Sequence, residues 1–270
     1  ISELENVAVV SYFLIPHGPL RSTIKQKGKT VTSVEIPITE GELANDVENA
    51  HKKIKNSIFF KRDGKELFDK LLRPLSLAAK HLIIIPDKHL WKIPFQALSP
   101  DGERYLIEEK LVSYSPSVFL LLEHLRQPKP NRRTIRAFSN SSFNHLKLRF
   151  ADSEASSVAG LYGSRPTLAA TAADLRRYSG TTDIIHLSMH AQVDGERPLE
   201  SFLAFRGTGA DDGRVTVDDL LNLNFKKGGL VFLASCDTNN VLNGEGLVSL
   251  AWGAMGAGAT TVISAQWEAD

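Results

Sequence analysis

A single cysteine, Cys236, stands in 270 residues, so no internal disulfide can form and a reducing, cytoplasmic setting fits the chain. No apolar run approaches the roughly 18 residues that a spanning helix needs. The N-terminal stretch ISELENVAVV has neither a charged n-region nor a cleavage pattern. An excess of one charge sign is missing too. The 32 basic and 31 acidic side chains leave a formal net charge of +1, so no general field draws the chain to nucleic acid or anionic lipid, and a partner must be recognised at a local site. Internal repeats and low-complexity segments are absent. The glycine-rich stretch GTGADDGR, residues 207–214, lacks both the Walker spacing and its Lys-Ser/Thr pair. It reads as a surface loop between SFLAFR and VTVDDLL.

What is present describes a globular α/β chain. Apolar residues make up 42% and charged residues 23%, ordinary values for a packed protein. The length admits one large domain or a domain with a sizeable subdomain, at about 150 residues per domain. The chain starts without methionine and stops at SAQWEAD, which reads as a piece of a longer protein. The first 38 residues carry β-rich runs punctuated by His17-Gly18 and Lys27-Gly28, and predict an antiparallel meander. Thr39 followed by Glu42 forms a capping box that opens a polar helix. A second helical stretch around KELFDKLLRPLSLAAK is broken at Pro74. HLIIIPD is a short, continuously apolar run of the kind buried in a parallel sheet, and SVFLLLEHLRQ reads as a helix. The segment PKPNRR, residues 128–133, is the best internal boundary. It divides an N-terminal α+β support subdomain, residues 1–130, from a second subdomain, residues 131–270. After it strands and helices alternate, which implies βαβ units and a mainly parallel sheet covered by helices.

In such sheets sites gather beyond the carboxyl ends of the strands. Two apolar strands end there in reactive residues: DIIHLSMH closes on His190, and GGLVFLASC closes on Cys236. If the strands are neighbours, imidazole and thiol project over one edge, which is the minimum equipment for covalent acyl transfer. A lone cysteine ending an apolar strand is in general more often a small buried hydrophobe. Here it is followed by the polar run Asp237-Thr238-Asn239-Asn240, which an exposed nucleophile requires and a core residue does not. Gly-Glu-Gly at 244–246 supplies a flexible lead into the next helix. The small Ala191 offers a backbone N–H that, with that of Cys236, can serve a tetrahedral oxyanion.

The remaining histidines and charges suit duller roles. His186 and His190 are four apart on a strand, about 13 Å along it, too far for one metal ion, so no metal is expected and His186 reads as a buried, hydrogen-bonded strand residue. His81, His89, His124 and His145 lie outside this apparatus. Lys129, Arg132 and Arg133 form a small basic cluster without interleaved aromatics, which fits a solvated linker and argues against direct nucleic-acid contact.

The chain resembles the CHAT domain family, caspase-like proteins related in fold to caspases and separases and often attached to tetratricopeptide repeats. The resemblance rests on VVSYFLI, HLIIIPDKHLWKIPFQAL, YLIEEKLVSYSPS, DIIHLSMHA, LASCDTNN, GEGLVSLAWGAMGAGATTVISAQW and the final Asp270, seven segments in order. It implies a caspase-like three-layer sandwich and a cysteine endopeptidase with His190 and Cys236 as its dyad, and no cofactor. The histidine precedes the cysteine by 46 residues, close to the roughly 50 described for caspases. Two departures stand out. Ala191 replaces the glycine that usually follows the histidine in caspases, and the Q-A-C-R/Q/G-G signature is absent, which argues against caspase-type aspartate specificity.

The resemblance also places TTVISAQWEAD beside the pocket for the residue preceding the cut. Trp267 would then form an apolar wall and Glu268 or Asp270 a carboxylate at its base, favouring Arg or Lys; Asp237 borders the same pocket. The expected partners are a protein substrate and a regulatory repeat region or partner protein outside this chain, with no membrane. The competing reading is a non-catalytic signalling or scaffold module that keeps the fold and binds proteins.

Overall fold

Strong local signals start the chain's first elements. A computed structural model of the chain describes residues 5–56, 58, 61–127, 133–209, 211–235 and 249–266. The chain divides into two compact units, with the boundary between Leu125 and Arg126. In the first unit, strands β1 (Val7–Leu14), β2 (Pro19–Gln26) and β3 (Thr32–Thr39) form the antiparallel meander expected from the two turn signals. Thr39 then caps helix α1 (Glu40–Lys55): its hydroxyl accepts from the Glu42 N–H at 3.3 Å, and the Glu42 carboxylate accepts the Thr39 N–H at 2.9 Å. Helix α2 (Lys61–Leu71) stops before a 3₁₀ turn that contains Pro74, where a helix cannot continue.

Strand β4 (His81–Ile85) lies parallel to β1 and to β5 (Leu111–Tyr114), giving the order β3-β2-β1-β4-β5. Alternation along β1 and β4 feeds two cores. Ala8, Val10, Leu82 and Ile84 meet Leu43 and Val47 of α1 and Leu67 of α2. Val9, Ile83 and Ile85 on the other face meet Leu121 of helix α3 (Val118–Leu125).

The second unit is built on a sheet parallel throughout. Its strands are β6 (Ile135–Asn140), β9 (Ile184–Met189), β13 (Leu230–Ala234) and β14 (Thr261–Ser264), in the order β14-β13-β9-β6. Between β6 and β9 run the short hairpin β7 (Ser142–Phe143) and β8 (Leu146–Lys147) and helices α4 (Ala151–Leu161) and α5 (Ala172–Tyr178). Between β9 and β13 a small antiparallel sheet, β10 (Ala191–Gln192), β11 (Phe202–Ala204) and β12 (Arg214–Thr216), precedes helix α6 (Val217–Leu221). Helix α7 (Leu250–Gly256) leads into β14.

Three layers result. Ala155 and Ala159 of α4 pack on Ala137 of β6 on one face. On the other, Phe138, Leu187, Val231 and Leu233 of the sheet meet Leu175 of α5, Leu220 of α6 and Leu250 and Ala254 of α7. The glycine-rich stretch connects β11 to β12. Gly213, at φ +83°, sits so close to the Phe205 carbonyl that a Cβ would collide with it, while its own carbonyl accepts the Phe205 N–H at 2.7 Å. The glycine there serves a tight loop. Among the described residues, no helix is long and apolar enough to cross a membrane. Most of the boundary segment PKPNRR, residues 128–132, lies outside the described residues.

Candidate active site

All four strands of the parallel sheet carry polar residues toward their carboxyl ends, and those of β6, β9 and β13 converge. The register pairs Ala234 of β13 with Ser188 of β9. One residue further on, the Ser235 hydroxyl donates to the Met189 carbonyl at 2.5 Å. The next residues in the two segments are His190 and Cys236. His190 is described: it is half-buried, its Nε2 is sealed from solvent, and that nitrogen has no hydrogen-bond partner among the described residues. Cys236 lies outside the described residues, as do Asp237 with the polar run that follows it, Gly-Glu-Gly 244–246, and Trp267, Glu268 and Asp270.

The backbone of His190 is fixed from the side of β6. Its carbonyl accepts the Ala204 N–H at 2.8 Å, and the Ala204 carbonyl accepts from Asn140 Nδ2 at 2.9 Å. Asn140, 4% exposed, ends β6 opposite Met189. The same pairing orients Ala191. Hydrogen-bonded and non-hydrogen-bonded pairs alternate along an antiparallel ladder. Ala204 donates to His190, and Ala191 faces Leu203 in the next pair. The Ala191 N–H is therefore turned away from β11.

One turn of strand below, a second polar group is closed on itself. His186, 5% exposed, has its Nε2 3.0 Å from Glu154 Oε1, and the Ser188 hydroxyl donates to Glu154 Oε2 at 2.7 Å. The His186 ring stacks on Phe232 of β13 with centroids 5.0 Å apart. Burial pushes the His186 imidazole below its ordinary value, against an opposing pull from the Glu154 carboxylate. A neutral ring donating Nε2–H to Glu154 meets both conditions. Glu154 thus ties α4 to β9, and His186 ties β9 to β13, beneath the tips that end in His190 and lead to Cys236.

His186 is the buried, hydrogen-bonded strand residue anticipated from its position. Among the described residues no group of three His, Cys, Asp or Glu side chains is arranged to hold a metal ion. His81 bonds to Ser113 at 2.8 Å in the first unit, where His89 and His124 also lie, and His145 occupies the exposed β7–β8 turn.

Three residues that the sequence did not single out frame the site: Glu154, Asn140 and Ser235. A signal for the first was available in the polar 186, 188, 190 alternation of an otherwise apolar strand, which demands a polar partner on the covering helix. Asn140 and Ser235 gave no such signal, because a polar residue at a strand end is ordinary.

No curated protein matches the chain. A family model described as the CHAT domain matches residues 61–270, beginning at α2 and taking in both units. With that span covering most of its length, the chain belongs to the CHAT domain family, whose fold is caspase-like and peptidase-related.

Proposed function

We propose that this chain is a cysteine endopeptidase in which Cys236 is the nucleophile and His190 the general base and then the general acid. The observation that carries the reading is the His190 imidazole, with Nε2 buried and unpartnered among the described residues at the tip of β9. Leaving a buried polar atom unpaired costs about 1–3 kcal/mol, a cost a fold retains where the atom acts in the working state. Support for the partner comes from the chain order: Cys236 follows Ser235, whose hydroxyl bonds to the carbonyl preceding His190.

In the reaction, His190 takes the Sγ proton and the thiolate attacks the scissile carbonyl carbon, sending the π electrons to oxygen. The backbone N–H groups of Ala191 and Cys236 hold the oxyanion, and the outward turn of the Ala191 N–H supports its part. Collapse breaks the C–N bond, and the imidazolium gives its proton to the leaving amine. Water, deprotonated by His190, then hydrolyses the thioester. Trp267, Glu268, Asp270 and Asp237 form the pocket that selects Arg or Lys before the cut. A repeat region or partner protein outside this chain governs the activity. A reducing compartment such as the cytoplasm keeps the lone thiol available.

The test is a fluorogenic peptide library varied at the residue before the scissile bond, run on wild type, Cys236→Ala and His190→Ala. Cleavage after Arg or Lys, lost in both variants, is the expected result. Cleavage after another residue keeps the dyad and discards the acidic pocket. Cleavage that survives in Cys236→Ala overturns the assignment, and silence of the wild type even with its native partner present favours the non-catalytic scaffold.

A further inference from the structure

The charges of the second unit cancel in number but are segregated along the chain. Between Arg126 and Thr182 there are ten basic side chains and three acidic ones, whereas from Asp183 to Asp270 there are five basic and twelve acidic. All three carboxylates of the basic stretch are turned to internal tasks. Asp152 accepts the Ser139 hydroxyl at 2.6 Å, Glu154 holds His186 and Ser188, and Asp174 closes the Thr171 capping box at the start of α5. Five of its arginines, Arg133, Arg136, Arg165, Arg176 and Arg177, make no ion pair among the described residues, and four of the five are exposed.

The fold gathers several of these charges at the β6 side of the sheet. The segment after α4 runs along β6, with Thr167 N–H donating to the Ala137 carbonyl at 2.8 Å and the Thr167 carbonyl accepting from Ser139 N–H at 3.0 Å. Thr167 bridges Phe138 in parallel, so Arg165, two residues earlier, lies in register with Arg136. The Arg136 and Arg177 guanidiniums both sit over the Tyr178 ring, at 4.5 Å and 5.4 Å from its centroid. Stacking fixes their planes and leaves their N–H edges for carboxylates.

We propose that this strip, Arg136, Arg165 and Arg177, is a docking surface for a protein partner's segment rich in carboxylates. Unpaired arginines, two of them held over one ring, are complementary to carboxylates. A single-stranded nucleic acid would need free aromatic faces on which to stack its bases, and the Tyr178 ring already carries guanidiniums. The surface stands on charges remote from the dyad and does not depend on Cys236 acting as a nucleophile.

The test uses the 270-residue chain carrying Cys236→Ala, so that no turnover consumes a probe. Fluorescence anisotropy at low and high NaCl follows three labelled probes: a peptide of Glu and Leu, the same peptide with Gln in place of Glu, and oligo(U) RNA. The Glu–Leu peptide should bind, and weaken about tenfold or more at high salt. It should also weaken about tenfold or more in the triple variant Arg136→Gln, Arg165→Gln, Arg177→Gln. The single, exposed Arg165→Gln change should give about a threefold loss, which guards against misfolding of the triple variant. Arg197→Gln, whose charge is already paired with Asp194 and Glu200, should leave binding unchanged. Equal binding of the Glu and Gln peptides, tighter binding of oligo(U), absence of peptide binding, or a dimer in sedimentation that only the triple variant dissociates would overturn the proposal.

Discussion

The two ends of the parallel sheet are built on opposite principles. At the amino end of β9, Asp183 is 3% exposed, with one carboxylate oxygen hydrogen-bonded and the other held by an ion pair. Its Oδ2 accepts both the N–H and the hydroxyl of Thr134, at 2.9 and 2.8 Å, and its Oδ1 pairs with the Lys226 ammonium at 2.6 Å. Close by, the Thr260 hydroxyl accepts the Gly228 N–H at 2.8 Å. At the carboxyl end of the same strand, His190 Nε2 is buried and unpartnered among the described residues. A polar group whose task is to hold the fold is closed by partners. In the proposed reaction His190 exchanges a proton, and a group with that task must keep a valence open at a cost to the fold.

That contrast can be broken most sharply by deletion at each end. His190→Ala should lower kcat/KM for the cleaved peptide by about 10³-fold or more. The same change should move stability by less than about 1 kcal/mol, because it removes no hydrogen bond of the ring's Nε2. Asp183→Ala should do the reverse, losing about 3 kcal/mol in denaturant titration as Thr134 and Lys226 are left without their acceptor, while activity per folded molecule holds. If both variants lost stability equally, the distinction between a closed and an open end would be wrong.

Between the ends sits Glu154, and Glu154→Ala should cost about 2 kcal/mol, since it strands the His186 N–H and the Ser188 hydroxyl together. Asn140→Ala removes the bond that holds Ala204, and through it the His190 carbonyl. It should cost about 1 kcal/mol of stability, with a fall in kcat that exceeds the change in KM, read by steady-state kinetics on the cleaved peptide.

The smallest effect is in pH. Burial holds the folded His186 imidazole below its ordinary value of 6.5, so the unfolded chain takes up that proton first. The associated stability is fully present above pH 6.5 and declines as pH falls from there toward the folded value. Asp183 is also lowered, from 3.8, by Lys226 and Thr134 against desolvation, the largest influence on it, and its contribution is lost only in stronger acid. Urea titrations just above and just below pH 6 should show the His186 part, and His186→Gln should flatten it. A steeper slope in the variant would contradict the neutral, buried ring.

Much of this was legible in the chain itself. The Thr39–Glu42 capping box, the Pro74 break, the meander turns and the alternation of apolar strands with helices are local signals, and local physics suffices to read them. His190 at the tip of its strand was legible for the same reason, because a continuous apolar run ends there in a polar residue. The small sheet β10-β11-β12 was not, since strands of two and three residues leave almost no periodic trace. Strand β5, at four residues, left little more. Glu154 and Asn140 were out of reach for a different reason: the groups they serve, His186 and Ala204, lie 32 and 64 residues away, so their roles exist only once the layers pack.

The measurement that bears most directly on the central claim is the rate at which a small electrophile such as iodoacetamide alkylates Cys236, followed by mass spectrometry across pH in wild type and His190→Ala. An imidazole that holds the thiol proton predicts fast labelling of the wild type near neutral pH, about tenfold or more above the variant. It also predicts a variant profile that rises only toward the ordinary thiol range near 8.5. Identical rates and identical pH profiles for the two proteins would contradict the pairing of His190 with Cys236.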